Sequence, residues 1–296
     1  MKIRPITEKD KKEVLKISSR IWEGDDYIHL VFDEWISDKS GKFVGLWEND
    51  ILLGFGKLTY LTPFDVWLEG LRKNHEIKQK GVGEKLAKYF LNELKSDKRL
   101  KSIRFSTYFG NLPSIKLNEK LGFRKVQTCS LKYLEIEKKN NIQNQELVFR
   151  PTFDSILNYI KNSDYLKKMN FFYPKGWVFY PFWEKIIEDA FENNRIFCCG
   201  QNEKIKGIII LEPTHYEGIQ WISFWETENF PAFKFLLEMA KNKAFRNGKR
   251  ELQLLLPKNS NLQNYCRQTG FQSWEREDDV FLYEFPPQNL ITFSTD

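Results

Sequence analysis

The sequence predicts a mixed α+β chain built as two domains of one plan in tandem. Three observations carry this. A strand, a glycine loop and an amphipathic helix follow one another from Val66 to Leu94. A faint ordered repeat sets Phe149-Arg150-Pro151-Thr152 against Ile3-Arg4-Pro5-Ile6, and Gly270-Phe271 against Gly122-Phe123. Between the copies runs a polar stretch without periodicity, Lys138-Lys139-Asn140-Asn141-Ile142-Gln143-Asn144-Gln145. The expected division is a first domain over 1–139, a linker over 140–146 and a second domain over 147–296, and 296 residues suffice for two cores of ordinary size.

In the first half, Lys2 to Ile6 reads as a strand. Thr7 then caps a helix whose first turn is acidic and whose apolar face runs through Val14, Ile17 and Ile21. An acidic and aromatic loop, Ile21 to His29, feeds a helix carrying Val31, Phe32, Trp35 and Ile36. Lys42–Glu48 and Ile51–Tyr60, joined by Asn49-Asp50, have the signature of a hairpin. Val66 to Leu71 is the next strand, and Val82, Leu86, Tyr89, Phe90 and Leu94 give the following helix its buried face. A strand from Ser102 to Thr107, a helix from Asn111 to Leu121 capped by Gly122, and a closing hairpin within Val126 to Ile136 complete the domain.

The second half repeats the order. A hairpin over Ile196–Gln201 and Ile205–Leu211 turns at Asn202-Glu203, and a strand runs from Gly218 to Phe224. A helix is striped by Phe233, Leu236, Leu237, Ala240 and Ala244. A strand from Leu252 to Leu256 and a helix from about Leu262 lead to Gly270-Phe271.

The stretch Lys78-Gln79-Lys80-Gly81-Val82-Gly83 stands at the start of the Val82 helix. A helix N-terminus presents unpaired N–H groups and the positive end of the helix dipole, and glycines admit a ligand close to the backbone. Together they form a cradle for phosphate, which Lys78, Lys80 and Lys85 supplement. Two nucleotide folds are excluded by the letters. A P-loop needs Lys-Ser/Thr after its last glycine, where Glu84-Lys85 stands, and a dinucleotide fingerprint needs a third glycine where Leu86 stands.

The stretch resembles the acetyl-CoA loop of the GNAT N-acetyltransferases, Arg/Gln-x-x-Gly-x-Gly/Ala, with Lys78 in place of the usual arginine or glutamine. A second block, Asn111-Leu112-Pro113-Ser114 leading to Gly122-Phe123, resembles the family's Asn-x-x-Ala/Ser signature followed by a helix ending in Gly-Phe. The resemblance implies that each half is a central mixed β-sheet flanked by helices, with acetyl-CoA as cosubstrate. It assigns cofactor contacts to Leu71, Arg72 and Lys73 at the strand end, to Lys78, Gln79, Lys80, Gly81, Val82, Gly83 and Glu84 in the loop, and to Asn111, Ser114 and Asn118. The second copy is degenerate, because Trp225-Glu226-Thr227-Glu228-Asn229-Phe230-Pro231 has no glycine and two carboxylates. One acetyl-CoA site, in the first half, is therefore expected.

Acyl transfer to an amine needs a neutral amine, a stabilised oxyanion and a route for the leaving thiolate. Glu69, on the strand two residues before Leu71, is the candidate base, with ion pairing to a nearby lysine or arginine as the competing structural role. Where many family members have a tyrosine as general acid, this chain has Asn118, which cannot supply a proton; Tyr108, Ser106 or water are the substitutes. Asp25, Asp26, Tyr27, His29 and Trp67 are candidates for the acceptor side, since a cationic amine favours acidic and aromatic neighbours. The run from Asp26-Tyr27 through Phe32-Asp33-Glu34-Trp35, with Trp67 to Arg72, is similar to vertebrate-type histidine N-acetyltransferases, which implies a free amino acid as acceptor.

Composition narrows the partners. The net charge of +6 is spread among 40 acidic residues, so nucleic acid is not an expected partner. The four cysteines lack metal-ligand spacing and only three histidines are present, so no metal is expected. No signal peptide or membrane span is visible, which points to a cytoplasmic protein, monomer or homodimer, acting on a small-molecule amine. Protein N-terminal or lysine acetylation, and non-catalytic acyl-CoA binding, are the alternatives.

Overall fold

The computed structural model describes residues 1–137, 149–290 and 293, so the expected linker over 140–146 lies outside the described residues. The chain divides into two compact units: one spans Met1–Val126 and takes in the last strand from Leu282 onward, the other spans Gln127–Phe281. Both are mixed α/β, as the sequence predicts.

The first unit runs β1 (Lys2–Pro5), α1 (Lys11–Ser18), α2 (Ile28–Ser37), β2 (Lys42–Glu48), β3 (Ile51–Thr62), β4 (Asp65–Lys73), α3 (Val82–Leu94), β5 (Ser102–Tyr108) and α4 (Leu112–Lys120). The strands lie in sequence order, antiparallel except for the β4–β5 pair. Asn49 and Asp50 turn the β2–β3 hairpin with φ of 47° and 61°, as a tight right-twisted turn requires. Thr7 and Asp10 form a capping box ahead of α1. Helices α1 and α2 bury Val14, Ile17, Ile28, Val31, Phe32 and Trp35 against Phe43 and Phe55 of the sheet. On the other sheet face Gly54 and Gly56 leave room for α3: a Cβ on Gly54 would lie 2.7 Å from Val82, and one on Gly56 would lie 3.0 Å from Phe90.

The second part of the chain runs β6 (Arg124–Glu135), α5 (Phe153–Asn162), α6 (Asp164–Lys168), β7 (Phe172–Lys175), β8 (Val178–Pro181), α7 (Glu184–Glu192), β9 (Ile196–Gln201), β10 (Lys204–Glu212), β11 (Ile219–Thr227), α8 (Phe230–Arg246), β12 (Glu251–Pro257), α9 (Leu262–Gln268), β13 (Gln272–Ser273) and β14 (Val280–Phe285). Within the second unit the sheet order is β6-β12-β11-β10-β9, with β13 on β6 and a separate β7–β8 ribbon. Again one pair at the centre, β11–β12, is parallel. Asn202 and Glu203 turn the β9–β10 hairpin with φ of 50° and 61°, repeating the geometry of the first copy.

The expected closing hairpin within Val126 to Ile136 does not form. The segment is part of one 12-residue strand, β6, because it contains no Gly, Pro, Asn or Asp to turn it. The strand beside β5 is instead β14, from the far end of the chain. In the first unit Tyr283 stacks on Phe105, Phe285 packs edge-on against Phe123, and Arg104 binds Glu284 at 2.6 Å. The sequence reading also passed over α5, α6, α7 and the β7–β8 ribbon, although Thr152 and Ser163 cap α5 and α6 with side-chain hydrogen bonds.

Candidate functional site

The site begins with a fault in β4. Phe55 pairs with Arg72 and Lys57 with Glu69, so Gly70 and Leu71 face Gly56 alone. This is a bulge, and Gly70 makes it with φ of 62°; a Cβ there would lie 2.3 Å from the Trp35 ring. The extra residue resets the alternation of side chains. Glu69 and Arg72 stay on the face of α1 and α2, while Leu71 turns to the α3 face, close to Gly56. Just before the bulge β4 parts from its parallel neighbour: β4 and β5 pair only over Asp65–Trp67 with Ser102–Arg104. Among the described residues the backbone of β4 from Leu68 to Lys73 thus has no strand partner on its β5 side, though Leu71 O accepts from Arg72 Nη1 at 3.3 Å, and this leaves an edge to which an extended ligand can hydrogen-bond.

That edge leads to the N-terminus of α3. Gly81 holds φ of 77° and has no side-chain cap, and the first helical bond is Lys85 N–H to Gly81 O at 2.9 Å. The N–H groups of Val82, Gly83 and Glu84 therefore open toward the helix end. A Cβ on Gly83 would lie 3.3 Å from Leu117 and 3.8 Å from Leu71, so bare glycine keeps a narrow cleft open between α3 and α4. Lys78 and Lys80 are exposed beside it, and Gln79 donates to Lys80 O at 3.2 Å. Glu84 would oppose an anion here, but Lys120 reaches both its oxygens at 3.0 Å and Lys88 stands at 3.7 Å, and these cations hold its carboxyl below the usual range. An unpaired strand edge ending on an uncapped, lysine-flanked helix start fits a long thioester carrying a pyrophosphate. Leu71, Arg72 and Lys73 would meet it by backbone, and Lys78 to Glu84 would meet its phosphates.

On α4 the expected contacts have structural partners. Asn111 is the N-cap and accepts from Ser114 N–H at 3.4 Å. Asn118 is buried, and its amide nitrogen donates to Ser114 O at 2.9 Å and lies 3.4 Å from Ser114 Oγ. Its N–H groups are thus committed to its own helix.

Across the strand, Glu69 accepts from the Thr59 hydroxyl at 2.6 Å. Burial lifts its pKa from the ordinary 4.5 to about 7, partly offset by Thr59 and the charge of Lys57, with Glu34 and Asp38 adding to the rise. Lys57, opposite it on β3, is 1 % exposed and turns its ammonium away to Asp38 and to Leu58 O at 2.9 Å. Trp67 is buried on the same face.

Arg72 grips Asp26 with two bonds, Nε to Oδ2 at 3.0 Å and Nη2 to Oδ1 at 2.8 Å, and Ser18 donates to Oδ2 at 3.0 Å. Trp22 and Tyr27 cover the guanidinium at 4.6 and 5.5 Å. Asp26 is 1 % exposed, so this carboxylate balances Arg72 and is not presented to a ligand. The acidic residues of this segment that reach solvent are Glu23, Asp25, Asp33 and Glu34, of which Asp33 pairs with Lys11; His29 is exposed, with Nδ1 2.8 Å from Asp26 O. Sequence reasoning missed Thr59, Lys57, Asp38 and Trp22. Lys57 alone left a signal, as the one charge inside the apolar run Leu52 to Leu58.

The second unit has the same parting of strands but fills it. β11 and β12 pair over Ile219–Ile222 with Glu251–Leu254 and then diverge. Into the gap comes Tyr165 of α6, whose hydroxyl donates to Leu255 O at 2.8 Å and lies 3.4 Å from Ser223 O, with its ring against Phe224. Glu226, expected in a loop, belongs to β11 and accepts from Tyr165 N–H at 2.7 Å. The helix after the strand is capped by its own Asn229, which accepts from Ala232 N–H at 3.0 Å. Lys206 neutralises Glu228.

Among the described residues no group of histidine, cysteine, aspartate and glutamate side chains is placed to hold a metal ion, and no helix is long and apolar enough to cross a membrane.

Residues 11–123, within the first unit, match the family model described as acetyltransferase (GNAT) family. Solved structures share the fold over nearly the whole chain. A GCN5-related N-acetyltransferase from Sphaerobacter thermophilus superposes with a TM-score of 0.67 at 12 % identity, covering 96 % of this chain and 94 % of that one. A tandem GNAT protein from the clavulanic acid biosynthesis pathway gives 0.64 at 7 % identity, covering 97 % and 98 %. A GCN5-related N-acetyltransferase from Anabaena variabilis gives 0.54 at 14 % identity, covering 95 % and 72 %. No curated protein matches the chain.

Proposed function

We propose that the GNAT domain within residues 11–123 transfers the acetyl group of acetyl-CoA to a primary amine of a small molecule, with free amino acids as the first acceptor class. One observation carries the reading: the same strand, β4, offers an unpaired edge leading to the α3 N-terminus on one side and a desolvated carboxylate, Glu69, on the other. The bound thioester supplies the acetyl carbon; the amine nitrogen bonds to it, the C–S bond breaks, and CoA leaves as the thiol.

The chain's own work is positional and electrostatic. Glu69 removes the proton that keeps the amine cationic, and a carboxyl with a pKa near 7 does so at neutral pH while still able to release the proton afterwards. Backbone N–H groups of β4 past the bulge stabilise the developing oxyanion. Asp25 and Glu34 give the entrance a negative character suited to an ammonium.

A second reading, a non-catalytic acyl-CoA-binding protein, draws on Asn118, whose amide stands at the family's tyrosine position and is spent on Ser114. The full-length chain with acetyl-CoA and a panel of L-amino acids, polyamines and short peptides separates them by CoA release. Turnover with amino acids supports the proposal, and turnover confined to peptides moves it to protein acetylation. Release at the hydrolysis background throughout, with acetyl-CoA still bound in calorimetry, establishes the binding protein.

A further inference from the structure

Resting on the reading of Glu69 as base, we propose that Thr59 is its positioning residue, holding one carboxylate oxygen so that the other is turned to the acceptor amine. The register of β3 and β4 sets this up. Lys57 is directly opposite Glu69 and Thr59 opposite Trp67, so Thr59 and Glu69 are diagonal neighbours on one sheet face. The Thr59 hydroxyl meets Oε1 at 2.6 Å, and Oε2 has no protein hydrogen bond among the described residues.

The directly opposite residue would be the obvious partner for a carboxylate, and the fold diverts it. Lys57 places its ammonium on Asp38 and Leu58 O, in a space that exists because residue 41 is glycine; a Cβ there would be 2.2 Å from Nζ. A direct ion pair with Lys57 would hold Glu69 firmly ionised and immobilise both its oxygens. The threonine instead gives one neutral hydrogen bond from a β-branched side chain with few rotamers, which fixes orientation and perturbs basicity less. The charged groups facing Glu69 are then Lys57 from β3, Glu34 from α2, and Asp38 just after α2.

The test compares Thr59→Val, Thr59→Ala and Thr59→Ser with Glu69→Gln in the full chain. The first readout needs no acceptor: titration of the side-chain carboxyl carbons of 13C-glutamate-labelled protein, with Glu69 assigned by its loss in Glu69→Gln. The second is the pH profile of kcat for the acceptor found in the panel. In Thr59→Val and Thr59→Ala the Glu69 midpoint is expected to rise above its wild-type value by about half a unit or more, since a bond that favours the charged form is gone. kcat is expected to fall about tenfold, and Thr59→Ser to restore both. An unshifted midpoint in both hydroxyl-free variants overturns the positioning role, whatever Glu69 does. Wild-type turnover by Glu69→Gln overturns the base reading itself, a result distinct from the first because it leaves the titration shift in place.

Discussion

Tyr283 lies flat on Phe105, ring centroids 5.3 Å apart and planes 11° from parallel, although 178 positions separate them in sequence. Its hydroxyl donates to Glu119 at 2.8 Å, so β14 is tied to both β5 and α4 of the first unit. Tyr283→Ala removes a buried aromatic stack and should destabilise the first unit by about 3–5 kcal/mol. Urea unfolding followed by fluorescence checks this. A fragment ending near residue 142 lacks this strand, so loss of acetyl-CoA binding from it is the expected result.

The pH dependence of Glu69 has opposite signs for activity and stability. Its pKa is raised from 4.5 to about 7, so the folded chain holds a proton there that the unfolded chain has lost. Stability therefore falls as pH rises across that interval. Over the upper part of it kcat/KM should rise, as the carboxylate forms. Glu69→Gln should lower turnover about 100-fold near neutral pH and less at high pH, where the amine loses its proton unaided. It should also flatten the fall in stability. Denaturant midpoints and rate profiles measured over the same pH series test both signs at once.

How much of this was legible in the sequence depended on range. Gly81 and Gly83 announced a helix start because glycine takes φ of 77° at the first without the strain a side chain brings, and lets Leu117 approach the second closely. Asn49-Asp50 and Asn202-Glu203 announced their hairpins by turn chemistry alone. β14 was not legible as part of the first unit, because the alternation in Val280 to Phe285 says that a strand forms and nothing about which edge it joins. Thr59 escaped for the same reason at shorter range: only the register of β3 on β4 brings it to Glu69. Asp26 was read from its charge as an amine site, and the arginine that claims it is 46 positions away.

That pair gives a further prediction. Asp26 and Arg72 are buried together, with side chains 0 % and 11 % exposed, so removing one partner strands the other charge. Asp26→Asn and Arg72→Met should each cost about 3–5 kcal/mol of stability, and the double variant should cost less than the sum. A double-mutant cycle by chemical denaturation measures the coupling. Asp26→Asn that left stability intact and raised only the KM for amine would return Asp26 to the acceptor site.

Gly83→Val tests the cleft. A branched side chain where even a Cβ stands 3.3 Å from Leu117 must push α4 away or fill the space above Leu71. Overpacking of this kind costs about 1–3 kcal/mol, which corresponds to roughly 5- to 150-fold weaker acetyl-CoA binding if the strain falls on the bound state. Calorimetry on the folded variant reads this directly, and unchanged affinity would move the donor site elsewhere.

The last prediction concerns stoichiometry. In the second unit the gap between β11 and β12 is closed by Tyr165, the helix start beyond it is capped by Asn229, and Pro231 in its first turn has no N–H to offer. Each feature removes something that the first unit leaves open: the strand edge, an uncapped helix end and a full set of donors. One acetyl-CoA per chain is therefore expected in calorimetry, with Gly83→Val weakening that single binding event. Tyr165→Phe should leave Leu255 O unsatisfied at a cost of about 1–3 kcal/mol and still create no second site, because the ring continues to fill the gap against Phe224. Two equivalents bound by the wild-type chain would show that α6 moves out of the gap, and that the second unit is a working donor site closed only at rest.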